Sequence, residues 1–130
     1  MWLLSAIAAF AATLLLAGTP VLADTASPDT PPIQIKTAVV VPQLPGTNDG
    51  GYVDITFTNE RSVAATGIVF AIIDGGLPQQ FIHDNGKFSP KVTISHTYGT
   101  TLTDRNDPVI VVEATFADGS SWSDPSVAVP

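Results

Sequence analysis

The stretch Tyr52-Val53-Asp54-Ile55-Thr56-Phe57-Thr58 decides the fold, because apolar and polar side chains alternate along it without a break. A strand projects successive side chains to opposite faces, so Val53, Ile55 and Phe57 share one face while Tyr52, Asp54, Thr56 and Thr58 share the other. That is the pattern of an antiparallel sheet with one face buried and one in water. The run from Lys91 to Tyr98 repeats it, with Val92 and Ile94 inward and Lys91, Thr93, Ser95 and Thr97 outward. Working outward, short runs rich in Val, Ile, Thr and Phe predict seven strands, at approximately 33–41, 52–58, 66–74, 79–83, 91–98, 109–116 and 121–129. Turn residues separate them: Pro42, Pro45, Asn48-Asp49-Gly50-Gly51, Gly75-Gly76, Asn85-Gly86 and Asp118-Gly119. Phe116 to Trp122 reads as a hairpin with Asp118-Gly119 at its tip and the two aromatics anchoring its arms.

Asp84-Asn85-Gly86-Lys87-Phe88-Ser89-Pro90, the following Val92-Thr93-Ile94-Ser95-His96, and Thr115-Phe116-Ala117-Asp118-Gly119-Ser120-Ser121-Trp122 together resemble small exported bacterial proteins with immunoglobulin-like β-sandwich folds. The resemblance spans most of the chain beyond residue 32. It implies an all-β, single antiparallel sandwich of about seven strands and an exported location, and it implies no catalytic residues. The Cys, Trp, Cys framework of antibody domains is absent, so only the broad architecture carries over.

Two strands break the alternation. From Ile68 to Ile73 and from Val109 to Val112 both faces are apolar. In an immunoglobulin-like order these are the third and sixth strands, neighbours in one sheet. With Ile68, Phe70, Ile72, Ile110, Val112 and Phe116 inward, Val69, Ala71, Ile73, Val109 and Val111 make an apolar stripe on the outer face. Two readings stand. Either the stripe reflects β propensity and lies under the tether or a loop, or it docks a protein partner or a second copy of the chain.

The N-terminal segment predicts the compartment. An apolar run from Trp2 to Ala17, a Gly18-Thr19-Pro20 break and Val21-Leu22-Ala23 before Asp24 have the form of a secretory signal cut after Ala23. An uncleaved anchor is the rival, although Ser5, Thr13 and Gly18 leave the run short of the roughly 20 apolar residues of a bilayer span. The expected organisation is a signal peptide over 1–23, a Pro-rich disordered tether over 24–32 and one sandwich over 33–130. The product is expected in the periplasm, at the cell surface or in the medium, with no membrane attachment after cleavage. Five Lys and Arg against twelve Asp and Glu give a charge of −7, which repels nucleic acid and anionic lipid. With no Cys, neither disulfides nor thiolate metal sites can form, so packing alone must hold the fold.

Catalytic patterns are sparse. There is no Gly-x-Ser-x-Gly elbow, and Ser120 and Ser121 follow a hairpin tip with no base nearby in sequence. Glu60 falls in a loop and Glu113 on the outer parity of its strand, so no carboxylate pair is predicted. His83 is expected at a loop entrance and His96 at the rim of the core, too few imidazoles for a three-His zinc site. Asp104, Asn106 and Asp107 supply at most half a calcium cage and read equally as an Asx turn before Pro108. No cofactor is expected. The sequence therefore points to an exported, non-catalytic binding or surface-interaction module, with a structural cell-envelope component or a calcium-dependent binding module as alternatives.

Overall fold

A computed structural model describes residues 30–47, 50–101 and 107–130. The leader, residues 24–29 of the tether, and the Asn48-Asp49 turn lie outside the described residues. Seven strands are present: β1 (Ile33–Val41), β2 (Gly51–Asn59), β3 (Ala65–Asp74), β4 (Leu77–Phe88), β5 (Thr93–Thr100), β6 (Val109–Phe116) and β7 (Ser121–Ser123). They form a three-stranded sheet ordered β1-β2-β5 and a four-stranded sheet ordered β4-β3-β6-β7, every pairing antiparallel. The described residues thus form an all-β, two-sheet sandwich, in which the third and sixth strands are neighbours.

The alternation in β2 governs the interior. Val53, Ile55 and Phe57 are fully buried and meet Ile68, Phe70 and Ile72 of β3 across the gap between sheets. The Phe57 ring sits 5.3 Å from Phe70 and 5.6 Å from Phe88, in the tilted and edge-on arrangements that aromatic quadrupoles favour. Gly75 and Gly76, at φ 60° and 80°, make the two-residue turn joining β3 to β4, a conformation that suits the twist of a hairpin. The Phe116–Trp122 hairpin is instead a three-residue loop, closed by Gly119 N–H to Phe116 C=O at 3.0 Å and Phe116 N–H to Ser120 C=O at 2.9 Å.

One end of the sandwich is tied by a buried amide. Asn59 is fully buried at the end of β2; its Nδ2 donates to the carbonyls of Val63 (2.8 Å) and Phe88 (3.0 Å), and its Oδ1 accepts from Arg61 N–H (3.0 Å). One side chain thereby links the first sheet to the second and fixes the connection between β2 and β3. Pro32, the last residue assigned to the tether, is buried there, and its carbonyl accepts from Glu60 N–H at 2.8 Å. Arg61 covers the same end, its guanidinium 4.4 Å from the Phe116 ring centre.

Several expectations are corrected. Val109 and Val111 do not face outward: they pack in the inter-sheet core, while Ile110 and Val112 face out. A bulge causes the reversal, since Val69 pairs with Glu113 but Phe70 with Val111, leaving Val112 as an extra residue that resets the parity before Ala114 and Phe116. Val92 is half exposed and precedes the strand, because Lys91 takes a left-handed conformation at φ 66° and delays β5 to Thr93. Asn85-Gly86 is not a turn; β4 continues to Phe88, and His83 is an exposed residue within it. The last strand stops at Ser123, where Asp124 Oδ1 accepts from the N–H and hydroxyl of Ser126 and turns the chain.

Asn59→Leu preserves bulk but leaves two buried carbonyls without donors, so it should cost about 2–4 kcal/mol. The check is a lower urea midpoint at unchanged slope.

Candidate functional site

The outer face of the four-stranded sheet is apolar, as the sequence implied, but its members differ and it is covered. Val69, Ala71 and Val112 are buried there, with Ile73, Phe81 and Ile110 partly so. Their cover is the chain's own C-terminal segment, whose Val127 and Val129 pack onto them. Of the expected stripe, Val69, Ala71 and Ile73 lie under this strap, whereas Val109 and Val111 are inside the sandwich. The strap begins at Asp124, whose N–H donates to Val112 C=O at 2.9 Å, and thereafter holds mainly through its two valines.

Among the described residues, nothing packs over the other outer face, that of the three-stranded sheet. Register places Thr37, Thr56 and Ser95 in one row, Val39, Asp54 and Thr97 in the next, and Val41, Tyr52 and Gly99 in a third. Cross-strand hydrogen bonds order it: Thr56 Oγ1 lies 2.7 Å from Ser95 Oγ, and Thr97 Oγ1 donates to Asp54 Oδ1 at 2.5 Å. Tyr52 and Val39 are 40% and 54% exposed, an aromatic and an aliphatic group standing beside a carboxylate and hydroxyls. No Lys or Arg occupies these three rows; Lys36 and Lys91 instead flank Glu60 at one end of the sandwich, at 3.9 and 3.3 Å. Sequence reading had assigned this face only to water. The Asp-x-Thr-x-Thr and Thr-x-Ser-x-Thr spacings held the signal, but register was needed to align them.

A polar cluster closes the side where edge strands β4 and β5 meet. Asp84 Oδ2 accepts from Tyr98 Oη at 2.5 Å and lies 2.6 Å from His96 Nδ1. Since an ionised carboxylate only accepts, the proton sits on Nδ1. The imidazole packs edge-on against Phe57 and Phe88, with ring centres 6.2 and 6.1 Å away, so His96 does occupy the rim of the core. Burial, reinforced by the hydrogen bond and charge of Asp84, pushes the Tyr98 phenol well above its ordinary range. Further along, Gln80 bonds Thr100 Oγ1 (2.7 Å) and Gly99 C=O (3.1 Å), so side chains stitch two edges that share no ladder. His83 points to solvent from the same strand and does not join His96.

Of the calcium candidates, Asp104 and Asn106 lie outside the described residues, and Asp107 is half-buried before Pro108. Among the described residues no group of three His, Cys, Asp or Glu gathers. A shallow pocket of about 350 Å³ is lined by Thr30, Pro31, Pro32, Gln34, Glu60 and Arg61, its two charges opposed.

Replacing Val127 and Val129 by Asp should uncover the apolar face, lowering stability by about 1–2 kcal/mol and producing concentration-dependent association in light scattering. The Tyr98 shift has a sign: a phenol held neutral in the fold contributes stability that is intact below its unfolded value of about 10 and is lost as pH rises past it. Alkaline unfolding should therefore begin above about pH 10 and be blunted in Tyr98→Phe, read by circular dichroism. No family model matches the chain, and no curated protein or solved structure is significantly similar to it.

Proposed function

We propose that the protein is an exported, non-catalytic binding module of immunoglobulin-like type that presents the open outer face of its three-stranded sheet to a ligand. The pairing supports the immunoglobulin-like reading: β1-β2-β5 and β3-β6-β7 have the neighbours of the A-B-E and C-F-G strands of such sandwiches. Its fourth strand joins the third rather than the fifth, which is the departure from the constant-domain order. The export half of the reading rests on the form of the segment Met1 to Ala23.

One observation carries the choice of surface. The apolar face is occupied by the protein's own C-terminal segment, whereas the opposite face is uncovered among the described residues and ordered by cross-strand hydrogen bonds. Edge pairing is a poor alternative route to a partner. β1 carries a bulge at Lys36, β4 is stitched to β5, and β7 ends after three residues at Asp124-Pro125.

The expected outcome is that exported protein begins at Asp24 by N-terminal sequencing and cosediments with washed envelope or extracellular matrix of its own producer. Ser95→Arg combined with Thr97→Arg should abolish cosedimentation while leaving the melting temperature unchanged. Equal sedimentation of wild type and double variant would overturn the assignment of the face.

A further inference from the structure

We infer that the ligand of this face is a neutral, hydroxyl-rich polysaccharide, an inference that rests on the surface assignment above. Central strand β2 presents Tyr52, Asp54 and Thr56 in line, and the register sets Thr97 and Ser95 beside the last two. These are the groups that sugar recognition requires. An aromatic face packs against the C–H side of a pyranose ring, a carboxylate accepts from sugar hydroxyls, and side-chain hydroxyls both donate and accept.

The geometry leaves room for such a polymer. Gly99 stands opposite Tyr52, and among the described residues nothing comes within 4 Å of where its side chain would begin, so β5 contributes no side chain to that row. Asp54 is exposed, and its Oδ1 accepts from the Thr97 hydroxyl, a bond that orients the carboxylate. Thr56 and Ser95 hold each other at 2.7 Å, which fixes both rotamers before any ligand arrives and lowers the ordering cost of binding. The three rows span about 14 Å along the strands and about 10 Å across them, a footprint for a few sugar rings rather than a single one.

Charge selects among polymers. The chain carries −7, the one charged side chain in these rows is Asp54, and Lys36 and Lys91 are drawn to Glu60 at the end of the sheet. An anionic polymer would meet an unneutralised carboxylate in a negative field, whereas a neutral polyol meets hydrogen-bonding groups, one ring and the exposed Val39 side chain.

The test is native affinity electrophoresis of the protein, produced from its full-length reading frame and recovered after export. Gels contain soluble β-glucan, galactomannan or xylan, with alginate and hyaluronate as anionic counterparts. Retardation is expected in at least one neutral gel and in neither anionic gel. Tyr52→Ala and Asp54→Ala should each weaken it about tenfold, the factor that about 1.4 kcal/mol represents. Thr97→Arg, which leaves the ring in place, should also block it, and Leu77→Ala on the other sheet should leave it unchanged, all at unaltered melting temperature. Migration unaffected by any neutral polymer, retardation by the anionic polymers alone, or a Tyr52→Ala protein that binds as wild type would overturn the inference. Loss of envelope cosedimentation in the Arg double variant without neutral-polymer binding would sink the polysaccharide and keep the face; retardation insensitive to Thr97→Arg would sink both.

Discussion

Everything in this molecule depends on Phe57 being closed on both sides. The chain has no disulfide, so two thin sheets are held together by what Phe57, Phe70 and Phe88 exclude from water. Those rings can remain dry only if the ends and the open side of the sandwich are sealed. Asn59, on β2, seals one end by bonding Arg61 and Val63 of the β2–β3 connection and the Phe88 carbonyl of β4, and Asp84 seals the side by drawing Tyr98 and His96 over the rings. Buried polar groups of this kind stabilise only when fully partnered, and then they also exclude alternative packings. The polar residues here therefore do what a crosslink does elsewhere, by restricting how the apolar ones can pack.

Strand identity was legible because period-two burial is local. The first strand, at 33–41, and the sixth, at 109–116, have the predicted bounds, and β2 alternates as its sequence says as far as Phe57, whereas Thr58, expected to face water, is buried. What was not legible was anything decided by a neighbour. Val112 is an extra residue only relative to β3, and no property of Val109-Ile110-Val111-Val112 distinguishes the inward pair from the outward one. Lys91 carries no mark of its left-handed backbone, which becomes intelligible once its N–H is seen donating to Asn59 C=O and its Nζ bonding to Glu60. Asn85-Gly86 has turn chemistry, yet the pairing of β4 along β3 as far as Phe88 overrides it.

The candidate site was half visible for the same reason. An apolar stripe on the third and sixth strands could be read from composition, but whether it met solvent, a partner or the chain itself depended on where the residues after Ser123 go. The hydroxyl face was visible strand by strand and became a surface only when Thr56 was set beside Ser95 and Asp54 beside Thr97. Two sheets of similar strand chemistry thus acquire opposite roles: one outer face is removed from contact by intramolecular packing, and the other is kept polar and ordered.

The bulge at Lys36 has a consequence beyond β1. A fold whose regular elements, among the described residues, are strands alone risks growing by adding copies edge to edge, the route into fibrils. At Lys36 the hydrogen-bonding rim is kinked and bears an ammonium, so an incoming rim cannot stay in step past that point. The lesion in the ladder denies an incoming strand a continuous template along β1, so the rim that β1 presents is the wrong shape for a repeating stack.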